Sequence, residues 1–167
     1  MTEFTPVGIA HSPFSTPGAP PFQSTFSHAE GTVEIFPEYQ EGLRSIEGFS
    51  HLILLSYFNR ASQPALIEKP LIDGEASHGI FACRHFNRPN PIGISYVALN
   101  RVDKGILHVT GLDLLDGTPV LDVKPYVPAF DSIPDAVTGW VSARHIETIR
   151  ETSLRARQDL IKTHHSP

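Results

Sequence analysis

The sequence has little cysteine, no long apolar run and no leader-like start. Its single cysteine, Cys83, excludes a disulfide within the chain and favours a reducing compartment such as the cytoplasm. No stretch of about 18 consecutive apolar residues occurs, so no transmembrane helix is predicted. The first residues also lack the basic segment followed by an apolar segment that marks a signal peptide. We therefore expect a cytoplasmic protein with no membrane partner.

Common metal and cofactor motifs are missing as well. The nine histidines are scattered apart from a terminal pair, and no His-x-x-x-His or cysteine cluster exists, so the sequence predicts no metal. The glycine patterns of Rossmann folds and P-loops and the nucleophile elbow of α/β-hydrolases do not occur. The net charge of −5 argues against broad, non-specific phosphate binding, although it leaves room for a local basic groove.

Proline and glycine, by contrast, are plentiful. Fifteen prolines and twelve glycines separate short β-branched and aromatic runs, which is typical of an all-β domain. We predict a mainly β fold, a single antiparallel β-barrel whose closure removes exposed strand edges, with a barrel domain at 1–140 and a helical tail at 141–167. A short helix is expected at 38–46 and a C-terminal helix at 135–163. Strands are expected at 7–10, 31–36, 49–58, 79–83, 92–102, 106–112 and 120–123, with a loop at 61–77. Asp103-Lys104-Gly105, between the strands 92–102 and 106–112, is a hairpin turn signal.

The stretch 81–95, Phe-Ala-Cys-Arg-His-Phe-Asn-Arg-Pro-Asn-Pro-Ile-Gly-Ile-Ser, combines basic residues with rigid ones. Arg88 and Asn90 each precede a proline, which holds them out of the helical region. Arg84 and Arg88 offer two planar guanidiniums, each able to bind a carboxylate through two hydrogen bonds. This pattern favours an anion-gripping loop, although a stiff barrel corner has the same composition.

Two acidic segments follow further along the chain. Asp116 lies in Leu-Asp-Gly-Thr, a tight-turn signal whose carboxylate can also accept from a ribose diol or an ammonium group. Asp122 and Lys124 share one face of a predicted strand, and Tyr126 follows. Such a face is more often a solvated ion-pair ladder than a reactive site. The residues alone do not decide whether these two segments are structural, as a turn and an ion-pair ladder, or form part of a reactive site.

Several motifs occur together in a fixed order. They are Gly8-Ile-Ala-His-Ser-Pro13, Gly48-Phe-Ser-His-Leu52, Phe81-Ala-Cys-Arg84, Arg88-Pro-Asn-Pro-Ile-Gly93, Leu112-Asp-Leu-Leu-Asp-Gly-Thr-Pro119 and Asp122-Val-Lys-Pro-Tyr126. In these motifs the chain resembles the TrmO (YaeB-like) family of tRNA N6-threonylcarbamoyladenosine methyltransferases, over about residues 5–135. The resemblance implies a β-barrel enzyme that uses S-adenosylmethionine, acts on tRNA next to the anticodon, and forms a homodimer with the cofactor near the subunit interface.

The resemblance also implies site residues, carried over by motif position. The implied cofactor contacts are Pro21, Phe22, Gln23, Asn59, Arg60, Arg84, Ile94, Leu115, Asp116, Gly117 and Thr118. For catalysis, we expect Arg88 to orient the threonyl carboxylate of the substrate. Asp116, or Lys124 together with Tyr126, is expected to handle the proton.

The chain departs from the family at Phe22, where a basic residue is frequent, and at Asn59-Arg60, where His-Gln is frequent. Bacterial tRNA-modifying members also carry a small C-terminal domain where this chain has only the predicted helix. Three alternatives therefore remain: a methyltransferase for a small molecule or another RNA, a non-catalytic S-adenosylmethionine sensor or RNA-binding module, and an OB-type barrel. The last predicts aromatic residues on a basic face, whereas the aromatic residues here lie among acids.

Overall fold

Six strands close into an antiparallel barrel, as the sequence predicts. The structure is a computed structural model that describes residues 3–18 and 20–163, with 155–163 as backbone alone. In chain order the strands are β1 (Gly8–His11), β2 (Glu30–Ile35), β3 (His51–Tyr57), β4 (Ile67–Glu68), β5 (His78–Gly79), β6 (Ile92–Asp103), β7 (Ile106–Thr110) and β8 (Thr118–Pro125). The barrel order is β1-β2-β7-β6-β3-β8, and β4 and β5 form a separate two-stranded sheet.

The barrel interior follows from residue alternation along the strands. In β3, Leu52 and Leu54 are fully buried and point inward, and their partners in β6 include the equally buried Val97. Val33 of β2 and Val120 of β8 complete the same apolar cluster. Because side chains alternate between the two faces of a strand, the residues between these positions face outward. The closed barrel therefore has a largely apolar interior, which also contains the buried Ser56 and Ser95, and a mixed outer surface.

Strand β6 is long because it serves two neighbours. Its first half pairs with β3, from Ile92 to Ala98, and its second half pairs with β7, from Ala98 to Asp103. A register shift between Leu99 and Arg101 lies within the pairing with β7, just after Ala98, where the pairing with β3 ends. Bulges of this kind sharpen the local twist, which allows one strand to turn the corner of a small barrel.

The two ends of the barrel are unequal. Because neighbouring strands run in opposite directions, the connections 12–29, 58–91 and 111–117 all leave from one end, which we call the rim. The opposite end, the floor, carries the two-residue turn Lys104-Gly105. The φ angles of these two residues are 47° and 80°, as in a type I′ hairpin turn. The predicted hairpin turn at this place is confirmed, and the long connections lie on the rim.

The helices lie outside the barrel. The predicted C-terminal helix is present as α2, Ala143–Thr163, and a four-residue helix, α1, covers Pro128–Asp131. Helix α2 begins later than the predicted start at 135 because Gly139, with a φ of 60°, breaks the regular backbone before it. Within the described residues, no helix has the length and apolar character needed to cross a bilayer.

The predicted short helix at 38–46 is confirmed as a helix, whereas the predicted strand at 79–83 is wrong. The first is a 3-10 helix, Pro37–Leu43, which ends before Ser45 at a φ of 67°. The second is a 3-10 turn, Ile80–Ala82, that directly follows β5. Ile80 and Cys83 are buried whereas Phe81 is exposed. A spacing of three between buried residues suits a 3-10 turn, not a strand. The predicted loop 61–77 also contains β4.

Candidate functional site

The rim brings together residues that lie far apart in the sequence. Pro21, Phe22 and Gln23 lie on the connection 12–29, Asn59, Arg60 and Arg84 lie on 58–91, and Leu115 to Gly117 lie on 111–117. Thr118 is the first residue of β8, at the same end. All of the predicted cofactor contacts except Ile94 therefore belong to one end of the barrel.

The turn around Asp116 is held against the chain that leaves β1. The Asp116 amide donates to Phe14 O at 2.8 Å, and the Gly117 amide donates to Ala10 O at 2.9 Å. In return, the Ser12 amide donates to Asp116 Oδ1 at 3.1 Å. Gly117 has a φ of 77°, which favours glycine. The turn is closed by the Thr118 amide bonding to the Leu115 carbonyl at 3.2 Å, so its backbone is fixed.

Arg60 connects the rim segments across this turn. Its Nη2 donates to Asp116 O at 3.3 Å and its Nη1 donates to Ser15 O at 3.4 Å. Both bonds are long and go to carbonyls on the exposed rim. Asn59, its exposed neighbour, lies at the same turn of the chain, where the backbone amide of Asn59 donates to Tyr57 O at 2.8 Å. A guanidinium in this position lies beside the Asp116 turn and offers donors to an incoming anion.

Arg84 connects the other two rim loops. Its Nη1 donates to Gln23 Oε1 at 2.9 Å, and the same amide side chain donates through Nε2 to Phe22 O at 2.6 Å. Pro21 is buried, whereas Phe22 is 41 % exposed, so the aromatic ring is open to solvent beside this contact. The rim thus places a guanidinium, an amide and an accessible ring next to one another.

Asp113 is a buried carboxyl behind this part of the rim. Its Oδ1 accepts from Ser95 Oγ at 2.5 Å, and it also accepts from the backbone of Ser24. Burial raises the pKa of Asp113 to about 6, and the hydrogen bonds and the nearby Arg84 oppose the rise only in part. The Ser24 hydroxyl in turn accepts from the Tyr96 amide at 2.8 Å. This network fixes the chain next to Gln23 to the barrel wall.

Except for Arg88, the remaining predicted residues lie on or just beyond the outer surface of β6, β3 and β8, which we call the outer wall. Ile94 of β6, Leu55 of β3 and Asp122 of β8 form one cross-strand row. At about 4.8 Å between strands, Ile94 and Asp122 are about 10 Å apart in this row. Ile94 is 40 % exposed and begins the wall just below the rim.

Lys124 and Tyr126 lie further along the outer wall, toward the floor. Lys124 pairs with Asp122 at 2.6 Å, which confirms that these two side chains share one face. The Tyr126 ring meets the Tyr96 ring edge-on at 5.7 Å, and the Tyr126 amide donates to His51 O at 3.0 Å. Since Thr118 and Tyr126 bracket the whole of β8, one subunit does not bring Tyr126 next to Asp116.

Arg88 is partly occupied in holding its own loop. Its Nη1 donates to Cys83 O at 2.6 Å and more weakly to His85 O at 3.5 Å. The sequence predicts a ligand-gripping arginine here, and the structure shows that one of its nitrogens stabilises the 83–88 segment. Burial raises the pKa of the Cys83 thiol, and Arg88 opposes the rise only in part, so Cys83 is not an activated nucleophile.

The sequence matches the family model described as the tRNA-methyltransferase O N-terminal domain over residues 9–132. The chain belongs to the TrmO family. The predicted resemblance is thereby confirmed. A solved structure of TrmO from Pseudomonas aeruginosa is 39 % identical, with a TM-score of 0.71, and the match covers 85 % of this chain and 63 % of that one.

The chain is also similar to two curated proteins. A probable S-adenosyl-L-methionine-binding protein of Pyrococcus abyssi is 50 % identical over 142 residues, which are 84 % of this chain and 77 % of the relative. The tRNA (adenine(37)-N6)-methyltransferase of Escherichia coli is 36 % identical over 151 residues, 84 % of this chain and 64 % of the relative. The chain thus spans less than two thirds of the solved TrmO chain and of the E. coli enzyme.

Sequence reasoning missed Asp113 and Ser95 of the TrmO-family barrel. Asp113 does occur in the motif Leu112–Pro119, and an acid between leucines is a signal for a buried carboxyl. Ser95 gave no such signal because strands contain serine on either face. Only the register of β6, which turns Ser95 inward, places it against Asp113.

Two further observations limit where the site lies. A shallow groove lined by Thr32, Arg101 and His108 lies on the β2, β7 and β6 side of the barrel, and none of the predicted site residues lines it. Across residues 3–18 and 20–163, no group of three or more histidine, cysteine or acidic side chains is arranged to hold a metal ion. The predicted site residues of this TrmO-family chain lie on the rim and the outer wall.

Proposed function

We propose that this protein methylates N6 of an adenosine in tRNA with S-adenosylmethionine as the methyl donor. The observation that carries the proposal is that the residues predicted from the family resemblance converge on the rim, where Arg84 contacts Gln23 and Arg60 contacts the Asp116 turn. The names of the relatives in Pyrococcus abyssi and E. coli support the cofactor and the substrate class. The finer proposal is that the adenosine carries a threonylcarbamoyl group and lies next to the anticodon.

The chemical groups on the rim suit this cofactor. Its carboxylate requires a cationic donor, which Arg84 or Arg60 supplies through a planar fork. Its ribose hydroxyls require an acceptor, and Asp116 is 52 % exposed at the turn. Ile94 and the open ring of Phe22 offer apolar surface for the adenine and the thioether carbons. The proposed binding set also includes the other predicted contacts on the rim, namely Pro21, Asn59, Leu115, Gly117 and Thr118.

When bound, S-adenosylmethionine supplies an electrophilic methyl group. The N6 lone pair forms the new N–C bond, the sulfur keeps the electron pair of the broken S–C bond, and the N6 proton leaves. Since a carbamoyl-substituted N6 is a weak nucleophile, a group that accepts this proton accelerates transfer. Asp116, or Lys124 with Tyr126, takes this role in our proposal, and Arg88 uses its remaining nitrogens to orient the threonyl carboxylate.

A homodimer is part of the proposal because one subunit separates the candidate groups. Asp116 lies on the rim, whereas Lys124 and Tyr126 lie near the floor end of β8. The outer wall between them carries exposed apolar side chains, namely Ile92, Ile94 and Tyr57, each between 38 % and 43 % exposed. A two-fold contact through this wall would cover them and bring the Tyr126 region of one subunit toward the rim of the other.

Methyl-transfer assays with isotopically labelled S-adenosylmethionine test the proposal. Purified protein is incubated with tRNA that either contains or lacks threonylcarbamoyladenosine, and the nucleosides are analysed by mass spectrometry. We expect label on N6 of the modified nucleoside alone, with loss of both transfer and cofactor binding in Arg84→Ala. Arg101→Ala, on the opposite side of the barrel, is the matched control and keeps both.

Each other outcome of this assay has a distinct meaning. Transfer to both tRNAs would support the tRNA methyltransferase activity and would contradict the proposed requirement for a threonylcarbamoyl group. Cofactor binding without transfer to either tRNA would indicate a non-catalytic sensor. Wild-type affinity in Arg84→Ala, measured by calorimetry, would remove Arg84 from the cofactor site.

A further inference from the structure

The segment Trp140–Ser153, which we call the C-terminal strap, holds the loop that carries Arg84. The Trp140 ring stacks on the His78 ring, with 4.1 Å between the centroids and 11° between the planes. Trp140 Nε1 also donates to Ala82 O at 2.9 Å. One side chain therefore grips the loop at two points, the second of which is two residues before Arg84.

Asp73 ties the start of helix α2 to the same loop. Its Oδ2 lies 2.6 Å from His78 Nε2, and its Oδ1 lies 3.1 Å from His145 Nε2. His145 Nδ1 lies 3.2 Å from the Ser142 amide nitrogen and 3.1 Å from Trp140 O, so the other ring nitrogen, Nε2, is directed at Asp73. The three side chains are between 16 % and 23 % exposed, which shields their contacts from water.

The other end of the strap contacts the second rim loop. The Arg150 guanidinium lies over the Phe26 ring, 5.5 Å from its centroid, in a cation–π arrangement. Ser153 is 2 % exposed on this side of the helix. Phe26 belongs to the 3-10 turn Ser24–Phe26, which directly follows Gln23. The strap thus spans both loops whose side chains meet in the Arg84–Gln23 hydrogen bond.

We propose that the C-terminal strap is a positioning element for the cofactor site. Trp140 and His145 hold the Arg84 loop, Arg150 holds the Gln23 loop, and together they set the place where Arg84 meets Gln23. This inference rests on the proposed function, since it gives a role to residues that do not touch the cofactor themselves. It also gives the helical tail of this chain a part in the barrel's chemistry.

The strap is separate from what holds the barrel together. The apolar cluster inside the barrel, made of Ala10, Val33, Leu52, Val97, Val120 and their neighbours, includes no residue of the strap. Most strap side chains face solvent, so its contacts are few and specific. Removing the Trp140 ring should therefore loosen the Arg84 loop while the barrel stays folded, which makes the inference testable by substitution.

Calorimetry with S-adenosylmethionine tests the role on the full chain. We expect Trp140→Ala to weaken cofactor binding by about tenfold or more, and Trp140→Phe, which keeps a stacking ring but loses the Nε1 donor, by about threefold. Phe130→Ala removes an exposed aromatic residue that lies before the strap and serves as the matched control, with unchanged affinity. In an Arg84→Lys background, Trp140→Ala should reduce the cofactor affinity much less, because the guanidinium that Trp140 positions is already absent.

Amide hydrogen exchange supplies a readout that does not depend on the cofactor. We expect faster exchange across 79–88 in Trp140→Ala and in His145→Ala, with unchanged exchange across 93–97 of β6. Unchanged exchange across 79–88 overturns the inference, as does wild-type affinity in Trp140→Ala or an equal loss in the Arg84→Lys background. If the wild-type chain binds no S-adenosylmethionine, the proposed function fails, and the exchange result still decides whether the strap positions the loop.

Discussion

Arg84 Nη1 donates a hydrogen bond of 2.9 Å to Gln23 Oε1, between residues separated by 61 positions in the sequence. The barrel topology makes this contact possible because the connections that carry the two residues leave from the same end. A guanidinium whose position is fixed by an amide binds a carboxylate at a smaller cost in side-chain entropy. The contact therefore links the barrel topology directly to the proposed cofactor site.

Arg60 is expected to contribute to the same site by a separate route. Arg60→Ala removes the donors that reach Ser15 O and Asp116 O, and we expect an affinity for S-adenosylmethionine about tenfold weaker. Arg60→Lys keeps the charge without the fork and should lose less. Calorimetry measures both, and Arg44→Ala, an exposed arginine near the floor, is the control. Unchanged affinity in Arg60→Ala would contradict the role.

Asp113 should make stability fall as the pH rises. Its pKa is raised from 3.8 to about 6 in the folded protein, so the protonated form is favoured by folding. The stabilisation is fully present below pH 3.8 and is lost as the pH rises through about 6, by an amount on the order of 2–3 kcal/mol. Denaturant titrations across this interval should show the loss in the wild type and a much smaller one in Asp113→Asn. Asp103→Asn, which removes an exposed carboxyl, should show the same dependence of stability on pH as the wild type.

Lys124 and Tyr126 are expected to affect transfer without affecting cofactor affinity. Both lie toward the floor end of β8, away from the rim contacts of Arg84 and Arg60. Lys124→Met or Tyr126→Phe should lower kcat for methyl transfer by about 10²-fold or more. The Kd for S-adenosylmethionine should stay within about twofold of the wild type. Lys104→Met in the floor turn is the control, and a parallel loss of affinity would place these residues in cofactor binding instead.

The apolar outer wall predicts that the protein self-associates. We expect light scattering to give twice the mass of one chain, and Ile92→Glu to give a monomer, because a charge that the contact covers at the rim end of the wall is costly to desolvate. Val137→Glu replaces a side chain that is 97 % exposed and lies outside the wall, so it should remain dimeric. A monomeric wild type, or a dimeric Ile92→Glu, would exclude this contact.

The sequence predicts some parts of the structure well because their physics is local. The Lys104-Gly105 turn, the strand β3 and the shared face of Asp122 and Lys124 all follow from neighbouring residues. The 3-10 turn at Ile80–Ala82 does not, since an apolar run of this length suits a strand equally well and the β4–β5 pairing decides between them. The division into a barrel domain and a tail at 140 stays a prediction.

The residues of the candidate site also differ in how far the sequence alone predicts them. The resemblance to the family supplies Gln23, Arg60, Arg84 and the 115–118 turn as predicted cofactor contacts, and these roles stay predictions. Ser95 and Asp113 require the register of β6, which turns the serine inward behind the rim. The role proposed for Trp140 requires still longer-range information, namely which loop the C-terminal segment crosses, and no local pattern encodes it.

The inequality of the two barrel ends affects how this molecule tolerates change. At the floor, Gly105 lies so close to the Gln40 side chain that an added Cβ would collide with it, and the turn has no spare residue. On the rim, by contrast, doubling the length of a flexible connection costs only about 0.6 kcal/mol of closure entropy. A change of length in a part of a rim connection that the strap does not hold therefore leaves the strand register untouched, whereas a change of length at the floor turn shifts it.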